Sequence, residues 1–238
     1  MLDQVNHWID IAAAAVDGLL LCRVLLLKLH RMYLFITLAC LLDLFFDVVL
    51  LWLGTGSQES SRVFLYSRFL YAFVFPAIAW DVFEEIKPQI SKLRKLAIMR
   101  LISGLLLAAI FGFVISAFAG SDVNDSEPAL PATLALVLWA ASSTASLAFL
   151  WTLHKGARAQ KISLPNNTFV WLIFYELSFV AEVLVCLFSI AAPLLNSMGA
   201  SIFELTLAIY GIVITAWCIV RLRALPPDGF SASEKASS

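Results

Sequence analysis

Apolar residues are gathered into seven runs, at about 8–27, 32–53, 63–86, 98–119, 131–153, 168–192 and 200–221, separated by short polar stretches. About 20 residues of helix, rising 1.5 Å each, cover the roughly 30 Å hydrocarbon core of a bilayer. The pattern predicts an all-α polytopic membrane protein with seven transmembrane helices. Residues 1–223 form the seven-helix domain, with no room for a soluble one, and 224–238 form a short disordered tail. Composition agrees: 61% of the 238 residues are hydrophobic and 14% charged, far from the soluble balance of roughly half apolar and a quarter charged. The first run opens "MLDQVNHWID", with acids where a cleaved leader carries basic residues, so it is read as a retained span.

Charge then orients the spans. Lys28 and Arg31 follow span 1, Lys87, Lys92, Arg94, Lys95 and Arg100 follow span 3, Lys155, Arg158 and Lys161 follow span 5, and Arg221 and Arg223 follow span 7. The other side has Arg62 beside Glu59, Asp122, Asp125 and Glu127. Lysine and arginine mark the cytoplasmic face, so the N-terminus is expected outside and the C-terminus in the cytoplasm. The expected location is the plasma membrane, with a bacterial inner membrane favoured. The net charge of −1 conceals this polarity, and no nucleic-acid partner is implied.

Cys22, Cys40, Cys186 and Cys218 all lie within spans without a CxxC spacing and read as packing residues. The tryptophans fall largely toward span ends, as interfacial anchors do, with Trp80 and Trp139 as core candidates. Span 4 carries Gly104, Ala108, Gly112, Ser116 and Gly120 at four-residue spacing. Such a stripe admits another helix closely, within the bundle or, as a homo-oligomer, between copies. The hydroxyls of "WAASSTAS" in span 5 can bond to their own helix carbonyls, and Pro76 is expected to kink span 3.

The candidate chemistry sits inside the spans. Asp43 and Asp47 are four residues apart in "LLDLFFDVVLLWLG" and share a helix face. Reckoning depth from the turns sets Asp17 and Asp43 each thirteen residues from His30, and Asp47 and Arg68 ten and eleven from Ser57. Glu182 and Tyr210 are each fourteen from Asn196. The expectation is an inward-facing cluster of Asp17, Asp43, Asp47, Arg68, Glu182 and Tyr210 that binds a proton or small-molecule ligand. Arg68 is expected to pair with Asp47. An intramembrane charge costs about 2.5–3.5 kcal/mol and normally faces a partner or water. One of the unpaired acids is therefore expected to hold a proton unless a cation is bound. Asp81, Glu84 and Glu85 form a second acidic face, expected to be balanced by Lys87, Lys92 and Arg94, and Glu176 and Glu204 are secondary candidates.

Several chemistries drop out. His7, His30 and His154 lie at span ends on different loops, which offers no intramembrane histidine metal site or general base. Span 7 has no lysine for a retinal Schiff base, and the receptor-like DRY and NPxxY segments are missing. No cofactor is implied, and an enzyme is the least favoured class because a nucleophile and a base cannot both be named. The leading expectation is proton- or cation-linked transport of a small solute. The alternatives are a sensor module signalling through a separate partner, and a structural or assembly subunit of a membrane complex.

Overall fold

The chain is helical where apolar residues follow one another without strand-like alternation; the basic stretch 27–33 interrupts them after the first helix, and Gly54, Ser57, Ser163 and Pro165 do so farther on. The computed structural model describes residues 2–54, 57–87, 95, 98–99, 101–106, 110, 129–191 and 197–224, and among these it is all-helical. Helix α1 is Leu2–Leu26, followed by a 3₁₀ turn at Leu29–Arg31; α2 is Leu34–Leu53 and α3 is Gln58–Ile86. A helical segment at 101–106 (α4) precedes α5 (Ala129–Ala159), α6 (Asn166–Ala191) and α7 (Ser197–Arg221). Gly54 ends α2 at φ 76°, a left-handed angle that costs glycine little. Ser57 starts α3 by accepting the Ser60 amide at 3.0 Å, as N-cap serines do.

Five segments are long and apolar enough to cross a membrane: Leu34–Leu53, Arg62–Ile86, Leu134–Ala159, Asn166–Cys186 and Ile202–Arg221. They make this a membrane protein. Helix α1 differs from them because Asp10, Asp17 and Arg23 divide its apolar surface. Most of the fourth run lies outside the described residues. So do the loop charges Lys92, Arg94, Arg100, Asp122, Asp125 and Glu127, the stripe members Ala108, Gly112, Ser116 and Gly120, and the tail from 225 onward.

Short connections make sequence neighbours antiparallel neighbours. Helix α1 packs between α2 and α7, α3 between α2 and α5, and α6 between α5 and α7, while α3 also touches α6. The order α1–α2–α3–α5–α6–α7 thus closes on itself. One end of the bundle carries Lys28, Lys87, Lys155 and Arg221 and is called the basic end below.

The fully buried side chains gather toward that end, among them Val24, Ile36, Phe83, Phe149, Trp171 and Cys218. Three of the four cysteines are buried and all four are free, with Cys22 exposed. Trp171 departs from the interfacial expectation. It is 0% exposed and stacks on Tyr175 at 5.9 Å, because α6 enters the bundle there rather than skirting it. Trp139 is equally buried, while Trp8, Trp52 and Trp151 are exposed.

Bonds between elements fasten the same end. Arg23 Nη2 donates to the Leu222 carbonyl at 3.1 Å, and Asn167 exchanges two hydrogen bonds with the Arg223 backbone at 2.8 and 2.9 Å. Tyr33 and Thr168 join α2 to α6 through their hydroxyls at 3.1 Å. Asp81 of α3 accepts the Phe35 and Ile36 amides at 2.6 and 3.0 Å. These are orphan donors in the first turn of α2, whose N-cap residue Tyr33 supplies no side-chain cap. The expected balance of Asp81 by basic neighbours is therefore corrected: it caps a helix. Glu84 does meet Lys87, at 3.0 Å.

Two close approaches fix α5. Pro76 has no amide to give the Ala72 carbonyl, and Ser142 of α5 donates to that carbonyl at 2.6 Å. Of the hydroxyls in this stretch, Ser143 and Thr144 bond to Ala140 in their own helix, while Ser142 crosses to α3. Gly104 lies against α5 so tightly that a Cβ there would stand 2.8 Å from Ala145 Cβ. This member of the stripe packs within the chain.

Candidate functional site

Helix α2 turns its acids inward by the same spacing that turns its apolar side outward. Leu38, Leu41, Phe45, Val48 and Trp52 are exposed and recur every three to four residues. Ile36, Cys40, Asp43 and Asp47 fall on the opposite face, where Ile36 and Cys40 are buried and the two acids partly so.

Asp17 approaches from α1. The helices are in contact here, since a Cβ at the neighbouring Gly18 would lie 3.6 Å from Leu44 Cδ1. Asp17 and Asp47 turn their carboxyl groups toward one another within hydrogen-bonding reach. Asp10 lies within electrostatic reach of Asp47, whose Oδ2 is buried without a hydrogen-bond partner. Two carboxyl groups so placed attract one another only with a proton between them; both ionised, they repel.

Asp43 has a different partner. The Tyr71 hydroxyl of α3 donates to its Oδ1, with the Tyr71 ring between those of Phe46 at 6.0 Å and Phe75 at 5.6 Å. Asp43 is within electrostatic reach of Asp17, Glu182 and Arg68, which makes the acids of α1, α2 and α6 one cluster.

Arg68 does not pair with Asp47. Its Nη1 lies 3.3 Å from Glu182 Oε2, and its guanidinium sits over the rings of Phe64 at 4.4 Å and Trp139 at 4.0 Å. Depth reckoning put Asp47 and Arg68 at one level but left the angle about the axis open. Asp47 points to α1, whereas Arg68 projects toward α5 and α6. Stacking on aromatic faces suits a guanidinium, and Trp139 Nε1 approaches Glu182 without a well-formed hydrogen bond. Among the described residues, Arg68 is the cation acting on Asp43 and Glu182, whereas the charged neighbours acting on Asp17 and Asp47 are other acids.

The structure thus brings Asp17, Asp43, Asp47, Arg68 and Glu182 together and leaves Tyr210 apart. The Tyr210 hydroxyl donates to the Leu177 backbone carbonyl at 3.3 Å, away from the acids. Tyr71 is the residue the sequence reading passed over. It lies fourteen residues after Ser57 and Asp43 fourteen before it, so the same reckoning would have set them level.

A second pair was also overlooked. Glu176 of α6 meets His154 of α5, with Nδ1 at 2.8 Å from Oε2 and 3.1 Å from Oε1. The side chains are 12% and 9% exposed for His154 and Glu176, so this histidine is enclosed by the bundle rather than left at a span end. Glu204 is exposed, as its place near a helix end implied. Among the described residues, no three His, Cys, Asp or Glu side chains converge as metal ligands.

The fold and this cluster define a class: a helical membrane protein in which, among the described residues, the acids Asp17, Asp43, Asp47 and Glu182 gather around one cation, Arg68. Compared with known proteins, the chain matches no family model, no curated protein and no solved structure.

Proposed function

We propose that the chain is a seven-span plasma-membrane protein, N-terminus outside and basic end in the cytoplasm, that carries a small solute in company with protons. The supporting observation is the division of charge in the cluster. Among the described residues the cluster's one cation, Arg68, is engaged by Glu182, while Asp17 and Asp47 face one another and Asp43 takes a hydroxyl donor. A charge inside a membrane needs a partner. A shared proton supplies one for Asp17 and Asp47, and taking it up or releasing it changes the attraction between α1 and α2.

Proteoliposomes loaded with a fluorescent pH indicator test this. Wild-type protein should admit protons when a panel of small solutes is added on either side, and Asp47→Asn or Asp17→Asn should abolish that flux. An unchanged flux in both variants would remove the pair from the mechanism. A sensor module or an assembly subunit would show no solute-dependent proton movement even in the wild type.

A further inference from the structure

We infer that His154 and Glu176 form a second proton-binding site, placed in series with the Asp17–Asp47 pair and exchanging protons with solution at the basic end. The inference rests on the transport reading for its use but not for its existence. Its geometry is that of a histidine oriented by a carboxylate. Glu176 takes one ring nitrogen, Nδ1, at 2.8 Å, and Phe169 packs edge-on to the imidazole, with ring centroids 6.2 Å apart. The other nitrogen, Nε2, is buried with no hydrogen-bond partner.

That orphan nitrogen separates a working site from a fixed ion pair. A permanently charged imidazolium would bury an Nε2–H donor with nothing to receive it, which is costly for a buried group. A neutral ring that donates Nδ1–H to Glu176 leaves the Nε2 lone pair open to accept a proton, because the bond at one nitrogen sets the state of the other. When a movement of the helices opens Nε2 to solution, a proton adds there to give an imidazolium paired with the Glu176 carboxylate, and it leaves by the same atom.

One further charge bears on the pair, and the others are engaged elsewhere. Arg158, on the same helix, acts on Glu176, and Lys155 turns its ammonium over the Trp151 ring at 5.0 Å. On α3, Asp81 is engaged at the start of α2, Glu84 is held by Lys87, and Glu85 lies beside those two acids.

The series arrangement follows from α6. Glu176 and Glu182 are six residues apart, about 9 Å of rise, and between them Phe179 is 1% exposed and packs on Phe75 at 4.9 Å. A buried aromatic contact thus lies between Glu176 and Glu182, the edge of the acid cluster nearest to it along α6, and protons pass from one site to the other only when the helices move.

Nitrogen NMR of histidine-labelled full-length protein in lipid bilayers tests the site, with His154→Gln used to identify the signal. Neutral His154 should appear as the Nδ1–H tautomer, convert to imidazolium on acidification, and lose that tautomer in Glu176→Gln. If His154→Gln does not assemble, His7→Gln with His30→Gln leaves His154 as the sole imidazole. An Nε2–H tautomer, or a ring indifferent to pH, would overturn the site. In the indicator-loaded proteoliposomes, His154→Gln should slow proton flux at least tenfold. Unchanged flux beside a titrating His154 would refute the series arrangement. A titrating His154 together with flux indifferent to Asp17→Asn and Asp47→Asn would instead sink the transport reading and leave the site standing.

Discussion

Ser142 shows how a single hydroxyl can answer a defect built into another helix. Pro76 leaves the Ala72 carbonyl without its helical donor, and Ser142 supplies one at 2.6 Å across the α3–α5 contact. Hydrogen bonds between membrane helices average about 0.6 kcal/mol and reach about 1.7, and the stranded carbonyl puts this one toward the upper end. Ser142→Ala should therefore lower stability by about 1.5 kcal/mol, read by denaturant titration of the detergent-solubilised protein. In a Pro76→Ala background the carbonyl regains its own amide, and the same change should cost about a third as much, close to that average. Equal costs in the two backgrounds would show that the proline and the serine are not coupled. Pro76 and the hydroxyl-rich stretch were both visible in the sequence, yet their link was not, because it depends on the angle at which α5 meets α3. The same gap explains Arg68. Counting residues from a turn fixes height along the bundle but not direction about a helix axis. It therefore set Asp17, Asp43 and Asp47 at usable levels and still misassigned the arginine's partner. His154 and Glu176 escaped even the height reckoning, since they lie eight residues before and fourteen after Ile162. The stretch between α5 and α6 turns at Gln160 and Lys161 and then runs through 162–165 outside any helix, so its midpoint is not a mirror for depth.

Whole helices are positioned by the same few residues. Helix α2 has no capping side chain of its own and borrows Asp81 from α3, which ties the start of one span to the end of another. A carboxylate at a helix N-terminus also meets the positive end of the helix dipole. Losing a cap costs about 1 kcal/mol, and a partly buried charged cap up to about 2. Asp81→Ala should cost between those values, with the loss visible as faster hydrogen exchange at the Phe35 and Ile36 amides. Glu85→Gln, one turn on and with no amide in reach, should leave those amides protected. Exchange unchanged in Asp81→Ala would mean that α2 is held at this end by packing alone. The helices themselves were legible from apolar run length. This junction was not, since an acid five residues from a helix end reads in sequence as a solvated charge.

At the scale of the molecule the distribution of order is uneven. Fully buried side chains and ties between the elements concentrate at the basic end, whereas the acids of α1, α2 and α6 lie toward the other. Under the proposed orientation this describes a bundle fastened on the cytoplasmic side with its proton-binding groups nearer the outside, and it makes the path of every connecting loop testable. Single cysteines can be placed along the chain in a background without Cys22, Cys40, Cys186 and Cys218. Ser57→Cys and Asp125→Cys should then react with an impermeant maleimide added to intact cells, and Lys95→Cys and Lys161→Cys only after the membrane is opened. Asp125 decides the number of spans. If the run at 98–119 crosses the bilayer, residue 125 shares the side of Ser57; if it does not, residue 125 labels with Lys95. In the second case α5 could no longer run parallel to α3 across the same bilayer, in conflict with the Ser142 bond and with the Arg68 guanidinium resting on Trp139. The cluster geometry and the span count therefore stand or fall together.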